Sequence, residues 1–343
     1  MKKIFVVGPA WVGDMVMAQT LFKILKNQKE EISIDVLAPE WSRPLLERMP
    51  EVRKAHTMTI GHGVLQLKVR YQIAKAIRKE GYDEAIILPN SWKSGLIPWL
   101  AKIPKRRGFL GECRFGLLTD YRILDKKALP MMIERFAALA YKKGAKIEYP
   151  IPHPRLEIQE ASVEAASLKF GIHSDRPILA ICPGAEFGPS KRWPENYYAE
   201  IALAKLKEGF QVWIFGSKND MTVSNQIQVK TEGRCLDFTG KTSLAEAIDL
   251  LSLANLVVCN DSGLMHIAAA LEKPLVAVYG STSPGFTPPL GDASEIVRLS
   301  LPCSPCFKRI CPLQHHRCMQ ELSPQLVLDR LETLQKSCHG EIK

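Results

Sequence analysis

The sequence predicts an α/β protein built from two doubly wound parallel-sheet domains. Three observations carry that expectation. At 343 residues the chain exceeds what a single hydrophobic core usually serves, so two domains are expected. Each half opens with the same alternation of short apolar run, Gly- or Pro-containing turn and helical period. Strand, helix and strand in that order pair in parallel through a right-handed crossover. Between the halves, from Lys143 to Arg176, periodicity weakens and Pro150, Pro152 and Pro154 fall close together, as in a linker. The domains are therefore drawn as 1–165 and 166–343, facing a cleft, with the last helix expected to pack back on the first domain.

In the first half, Lys3 to Gly8 reads as a strand and Gly8-Pro9-Ala10-Trp11-Val12-Gly13-Asp14 as a turn. From Met15 to Lys26 the apolar residues Met17, Ala18, Leu21, Ile24 and Leu25 recur at helical spacing. Strands follow at Ile32–Leu37 and Glu84–Leu88, the latter ending in Pro89-Asn90-Ser91, with helical patterns at Arg43–Arg48, Leu67–Lys79, Trp92–Ala101 and Pro130–Lys143. Lys102, Lys105, Arg106, Arg107 and Arg114 read either as a solvated basic face or as an anion-facing patch. In the second half, strands are expected at Ile178–Cys182, Gln211–Phe215, Leu256–Cys259 and Leu275–Tyr279. Helices are expected at Glu195–Glu208, from the capping box Ser243-Leu244-Ala245-Glu246 to Leu253, and from Ser323-Pro324 to Lys336.

Apolar content of 46% and charged content of 24% are those of a soluble globular protein, while the net charge of +10 points to an acidic partner. A nucleic-acid role would need aromatics interleaved with a basic groove or a recognised module, and neither is present. The start, Met1-Lys2-Lys3-Ile4-Phe5-Val6-Val7, imitates a secretory signal, but Gly8, Pro9 and Asp14 interrupt it. No run is apolar enough to cross a bilayer. A cytoplasmic protein touching a membrane surface is expected, with its nine cysteines mostly reduced.

In open α/β sheets ligands collect at the carboxyl ends of strands, and four turns there carry the candidate chemistry. In the first, the glycines let backbone approach a ligand closely. Asp14 stands where a helix dipole stabilises a carboxylate, which suits a general base and a plain capping residue equally. The second, Pro183 to Pro194, is long and includes Gly184, Ala185, Glu186 and the adjacent cations Lys191 and Arg192. Long loops inside compact α/β domains are uncommon unless they work, and Lys191 suits the charge of a departing diphosphate. Exposed surface cations are the alternative. The third, with Ser217 and Asp220, offers a carboxylate past a strand, either for ribose hydroxyls or as a helix cap. In the fourth, Asn260-Asp261-Ser262-Gly263 ends a strand and starts a helix, whose free N–H groups and dipole favour a phosphate. Asp261 and His266 flank that spot as sugar-hydroxyl partners; alternatively Asp261 is a cap and His266 a surface histidine.

A separate cluster holds Cys303, Cys306, Cys311 and Cys318 near His315 and His316. Its spacing is compatible with a structural zinc ion, with free thiols or with a redox-formed clip.

With these residues in place, the chain resembles the bacterial ADP-heptose–lipopolysaccharide heptosyltransferases, their heptosyltransferase II branch above all. The resemblance spans nearly the whole chain and rests on GPAWVGDMVMAQ (8–19), RPLLERMPEV (43–52), LPNSWKSGLIPW (88–99), CPGAEFGPSKRWP (182–194) and NDSGLMHIAAAL (260–271). It implies the GT-B fold and an inverting transfer of heptose from ADP-L-glycero-β-D-manno-heptose to the first heptose of the lipopolysaccharide inner core. The type I and III enzymes, and a nucleotide-sugar epimerase on the same fold, are the alternatives. Asp14 is implied as base and Lys191 as the diphosphate contact. Asp261, Ser262, Gly263 and His266 are implied as donor ligands beside Gly184, Ala185, Glu186, Ser217 and Asp220. Trp11, Gly13, Asn90 and Lys93 are assigned to a heptosylated Kdo-lipid A acceptor. No catalytic cofactor is expected, and the enzyme is expected at the anionic inner-membrane surface.

Overall fold

A computed structural model of the chain describes residues 1–61, 63–172 and 175–340. It divides into two units, Met1–Pro154 and Arg155–Lys343. Among the described residues, the first unit holds β1 (Lys2–Val7), β2 (Ile32–Pro39), β3 (Val52–Met58), β4 (Glu84–Ile87), β5 (Lys105–Phe109) and β6 (Asp120–Arg122) in one sheet of order β3-β2-β1-β4-β5-β6. The second holds β7 (Ile178–Cys182), β8 (Gln211–Ile214), β9 (Leu236–Asp237), β10 (Leu256–Asn260), β11 (Leu275–Tyr279) and β12 (Ser294–Arg298) in the order β12-β11-β10-β7-β8-β9. All neighbouring strands are parallel.

Counted from its own first strand, each sheet runs 3-2-1-4-5-6, the doubly wound order of dinucleotide-binding domains. The order reverses between β1 and β4 in one unit and between β7 and β10 in the other. Connections on either side of that reversal run over opposite faces, so a crevice opens beyond the strand carboxyl ends.

These four strands are central because their residues allow it. Ile4–Val7 and Val257–Cys259 are unbroken apolar runs with at most 2% exposure, as a strand covered on both faces requires. Gly8, just past β1, lies close to the first turn of the next helix: a Cβ there would stand 2.7 Å from Met15 Cε, the flexible end of that side chain, and 3.3 Å from Val36 Cγ1. The helix Val12–Lys26 thus starts tightly against the strand that feeds it.

Three expectations need correction. Residues 160–165, drawn into the first domain, open the helix Glu160–Phe170. That helix lies in the second unit, where Lys169 pairs with Glu246 and the Phe170 ring meets Phe238 edge-on at 5.5 Å. Its sequence hides it, because it buries only Ala166 and so has no apolar stripe. The last helix, Pro324–Gly340, expected to return to the first domain, places Val327, Leu331 and Leu334 in the second unit's own core.

The basic run at 102–114 is neither a solvated face nor an anion-facing patch as a whole. Lys105–Phe109 is β5, where Arg107 lies between Glu84 (2.7 Å) and Asp120 (2.9 Å) with only 6% of its side chain exposed. Arg106 donates to the carbonyls of Ile103 and Leu117, and Arg114 is completely buried. Lys102 and Lys105 alone of this group remain exposed.

Candidate active site

At the β7/β10 reversal of the second unit, two loops 70 residues apart are joined by an ion pair. Pro189–Lys191 form a single 3₁₀ turn, and Lys191 Nζ lies 2.6 Å from Asp261 Oδ2. Thr282 Oγ1, from the turn after β11, donates to the same carboxylate oxygen. The neighbouring Asn260 is fully buried and knits the two strand ends together. Its Nδ2 donates to Pro183 O at 2.7 Å, and its Oδ1 accepts from Trp193 N at 3.2 Å and Tyr198 OH at 3.0 Å. A buried amide bonded through both its nitrogen and its oxygen fixes one geometry for both loops.

Asp261 is therefore no helix cap. The N-cap of the helix Gly263–Ala270 is Ser262, in extended backbone and without a capping bond. Ser262 Oγ is buried and has no hydrogen-bond partner. A buried hydroxyl without a partner is costly, and here it stands at a helix start, where the dipole and free N–H groups favour an anion. His266, one turn further on, is 5% exposed. Burial pushes its imidazole down to about 4, so it is neutral near pH 7. The alternative of a surface histidine is overturned.

The remaining donor-side candidates divide by environment. Gly184 is pressed against the third turn, where a Cβ would stand 2.5 Å from the Asp220 carboxylate; Ala185 is buried beside it. Asp220, 7% exposed, accepts from Ser217 N (2.9 Å) and Ser217 Oγ (2.8 Å), closing the capping box of the turn Lys218–Asp220; at the start of the helix Met221–Lys230 its side chain makes no cap bond. Glu186 and Ser217 are exposed, with Asn219 Nδ2 reaching Glu186 at 3.4 Å.

In the first unit the β1/β4 reversal carries the turns after β1 and β4. Asp14 sits in the first turn of the helix Val12–Lys26, half-buried, with Gly13 beside it and Trp11 43% exposed. After β4, Asn90 is exposed and Lys93 half-buried. Two buried arginines hold this turn from within. Arg114 donates to Pro89 O (2.7 Å), Ser94 Oγ (2.9 Å) and Phe109 O (3.1 Å), with Asn90 Oδ1 at 3.3 Å. Arg70 donates to Lys93 O (3.1 Å) and Leu65 O (2.6 Å). Burial lowers both guanidinium groups, that of Arg114 to about 10.

Cys303, Cys306, Cys311 and Cys318 are half-buried free thiols. Burial, and after it the other three thiols, raise the Cys318 thiol. Among the described residues, however, no group of three or more His, Cys, Asp or Glu side chains is placed to hold a metal ion. The zinc expectation finds no support. What the segment around them does is brace the Lys191 turn. Ser190 Oγ donates to Lys308 O and meets Ser281 Oγ at 2.9 Å, and Ser190 N donates to Arg309 O at 3.2 Å. Thr282, Ser190 and Arg70 are not among the sequence candidates, and Arg114 enters there only as part of the basic run. Thr282 could have been suspected, since it lies in a strand-end turn; nothing in the sequence pairs Ser190 with residues more than a hundred positions away.

Two units, each a parallel sheet in the doubly wound order, have the architecture of the GT-B glycosyltransferases. The chain belongs to glycosyltransferase family 9, the heptosyltransferases, whose family model matches residues 70–317. It is 45% identical to lipopolysaccharide heptosyltransferase 2 of Salmonella typhimurium over 341 residues, covering 97% of this chain and 98% of that one. With lipooligosaccharide heptosyltransferase 2 of Haemophilus influenzae it shares 44% identity over 343 residues, 96% and 99% of the two chains. The structure of E. coli ADP-heptose lps heptosyltransferase II superposes with a TM-score of 0.89 at 42% identity, over 99% of this chain and 100% of that one.

Proposed function

We propose that the protein is a type II heptosyltransferase, moving heptose from ADP-heptose onto the first heptose of the lipopolysaccharide inner core with inversion at the anomeric carbon. The observation that carries the donor side is the Lys191–Asp261 pair beside the unpartnered Ser262 hydroxyl at a helix start. The near full-length relatives supply the substrate names.

In this mechanism the anomeric C–O bond breaks with its electron pair going to the β-phosphate of ADP. The acceptor hydroxyl forms the new bond on the opposite face of the sugar, and its proton passes to the Asp14 carboxylate. Lys191 and the helix start stabilise charge that grows only as the bond breaks, so they favour the transition state over bound donor. Asp261, Ser262, Gly263 and His266 line the diphosphate and heptose, with Gly184, Ala185, Glu186, Ser217 and Asp220 on the nucleotide. Trp11, Gly13, Asn90 and Lys93 bind the acceptor. The domain assignment follows: acceptor and base on the first unit, donor on the second.

The test is an assay with ADP-heptose and acceptors bearing none, one or two heptoses. Transfer to the one-heptose acceptor is expected. Preference for the unheptosylated acceptor would make this a type I enzyme, and turnover without acceptor an epimerase.

A peripheral seat on the anionic inner membrane completes the proposal. It is supported by the net charge of +10 and the exposed Trp11 and Trp92, since tryptophan favours the headgroup layer. Among the described residues no helix is long and apolar enough to cross a membrane. Sedimentation with anionic vesicles, lost at high salt, is expected; binding indifferent to salt would refute it.

A further inference from the structure

The braced segment after β12 brings a second cation to the Lys191 turn. Gly188 has φ +149, and a Cβ there would stand 2.6 Å from Arg309 O, so the two backbones are in direct contact. With Ser190 N bonded to Arg309 O and Ser190 Oγ to Lys308 O, the position of residue 309 is fixed against the turn. The Arg309 side chain is exposed, yet its guanidinium rests over the Phe187 ring, 5.5 Å from the centroid. Lys191 Nζ stands 5.0 Å from the same centroid. One ring thus carries both cations, and a cation–π contact holds an exposed guanidinium in place without cancelling its charge.

Charge balance gives this meaning. Lys191 is already neutralised by Asp261, and Arg192 approaches Asp220 at 3.8 Å. Among the described residues Arg309 forms no ion pair with any carboxylate. It is the cation at this turn whose charge is left over, and a diphosphate leaving group brings charge that the Lys191–Asp261 pair, as a unit, does not balance.

We propose that Arg309 binds the donor diphosphate directly, its planar fork donating to phosphate oxygens as they gain charge. The proposal rests on the ADP-sugar donor assigned above. Calorimetry with ADP and AMP tests it on the purified full chain. Arg309→Ala is expected to weaken ADP binding about 10- to 100-fold, the range for one charge-assisted hydrogen-bonding group, and to shrink the preference for ADP over AMP. Arg309→Lys should recover part of the loss, and the donor KM should rise with the acceptor KM unchanged. Lys308→Ala, removing the adjacent exposed cation, should leave ADP affinity intact. The thermal midpoint of each variant, expected to match that of the parent, reports folding. ADP affinity unchanged in Arg309→Ala, or lost equally in Lys308→Ala, overturns the proposal. A parent protein that binds no ADP overturns the donor assignment instead.

Discussion

Lys191 Nζ and Asp261 Oδ2 stand 2.6 Å apart, and Thr282 donates to the same carboxylate. The carboxylate is 4% exposed and the lysine side chain 13%, so the pair is largely shielded from water. A pair of this kind presents a hydrogen-bonding surface with little net charge. It can hold a lysine in place before substrate arrives and release its donors to a phosphate afterwards.

Lys191→Ala is therefore expected to act twice. It removes a donor to the diphosphate, weakening ADP about 10- to 100-fold by calorimetry. It also strands Asp261, lowering stability by somewhat less than the about 3–5 kcal/mol typical of a fully buried pair, measured by denaturant unfolding. Full ADP affinity in this variant would remove Lys191 from the donor site.

Asp14→Asn separates chemistry from binding. Loss of a general base is expected to lower kcat by about 10²–10⁴, while the Kd for ADP, held on the other unit, stays unchanged. A kcat within a few-fold of the parent would exclude Asp14 as the base.

His266 makes stability depend on pH. Its imidazole is pushed below the ordinary 6.5 to about 4 by burial, so between these values the unfolded chain binds a proton that the folded chain refuses. The stabilising contribution is complete above pH 6.5 and is lost as pH falls toward 4, amounting to about 3 kcal/mol across the window. His266→Gln should flatten this part of the pH–stability profile relative to the parent. Parallel profiles would show that the group titrates normally.

Arg114→Met should disturb the turn after β4, proposed above for the acceptor, from beneath. The Phe109 carbonyl loses its Arg114 donor and Pro89 O keeps only the Ser94 hydroxyl, and a stranded buried acceptor costs about 1–3 kcal/mol. A clearly lowered melting temperature is expected, with a raised acceptor KM and an unchanged donor KM. Equal effects on both substrates would mean general unfolding rather than a local role.

Much of this was legible in the chain itself. Unbroken runs such as Leu256–Cys259 could only be covered central strands, and the capping box at Ser243 and Glu246 is present atom for atom. Asp14, Lys191 and Asp261 stand out in the sequence because strand-end turns are marked by glycine, proline and small polar residues, whereas Asn90 is a candidate only through the family resemblance. What stayed hidden was burial. His266 and Arg114 look like surface residues, because charge in a sequence gives no sign of whether water reaches it. Arg107 belongs to the same class: it was read as part of a basic patch, but its partners Glu84 and Asp120 come from neighbouring strands. Helix Glu160–Phe170 escaped since it fully buries only Ala166, and Arg309 escaped because its neighbours in space are residues 187–191.

The side chain of Asn260 has a wider consequence. By bonding both polar ends of one amide to Pro183, Trp193 and Tyr198, it makes the loops after β7 and β10 an extension of the hydrophobic interior rather than appendages to it. Replacement by Asp would delete the bond to Pro183 and bury a charge, so the position has almost no freedom to drift. A change at Asn260 therefore reaches both loops at once, whereas the exposed Glu186 lies outside that frame.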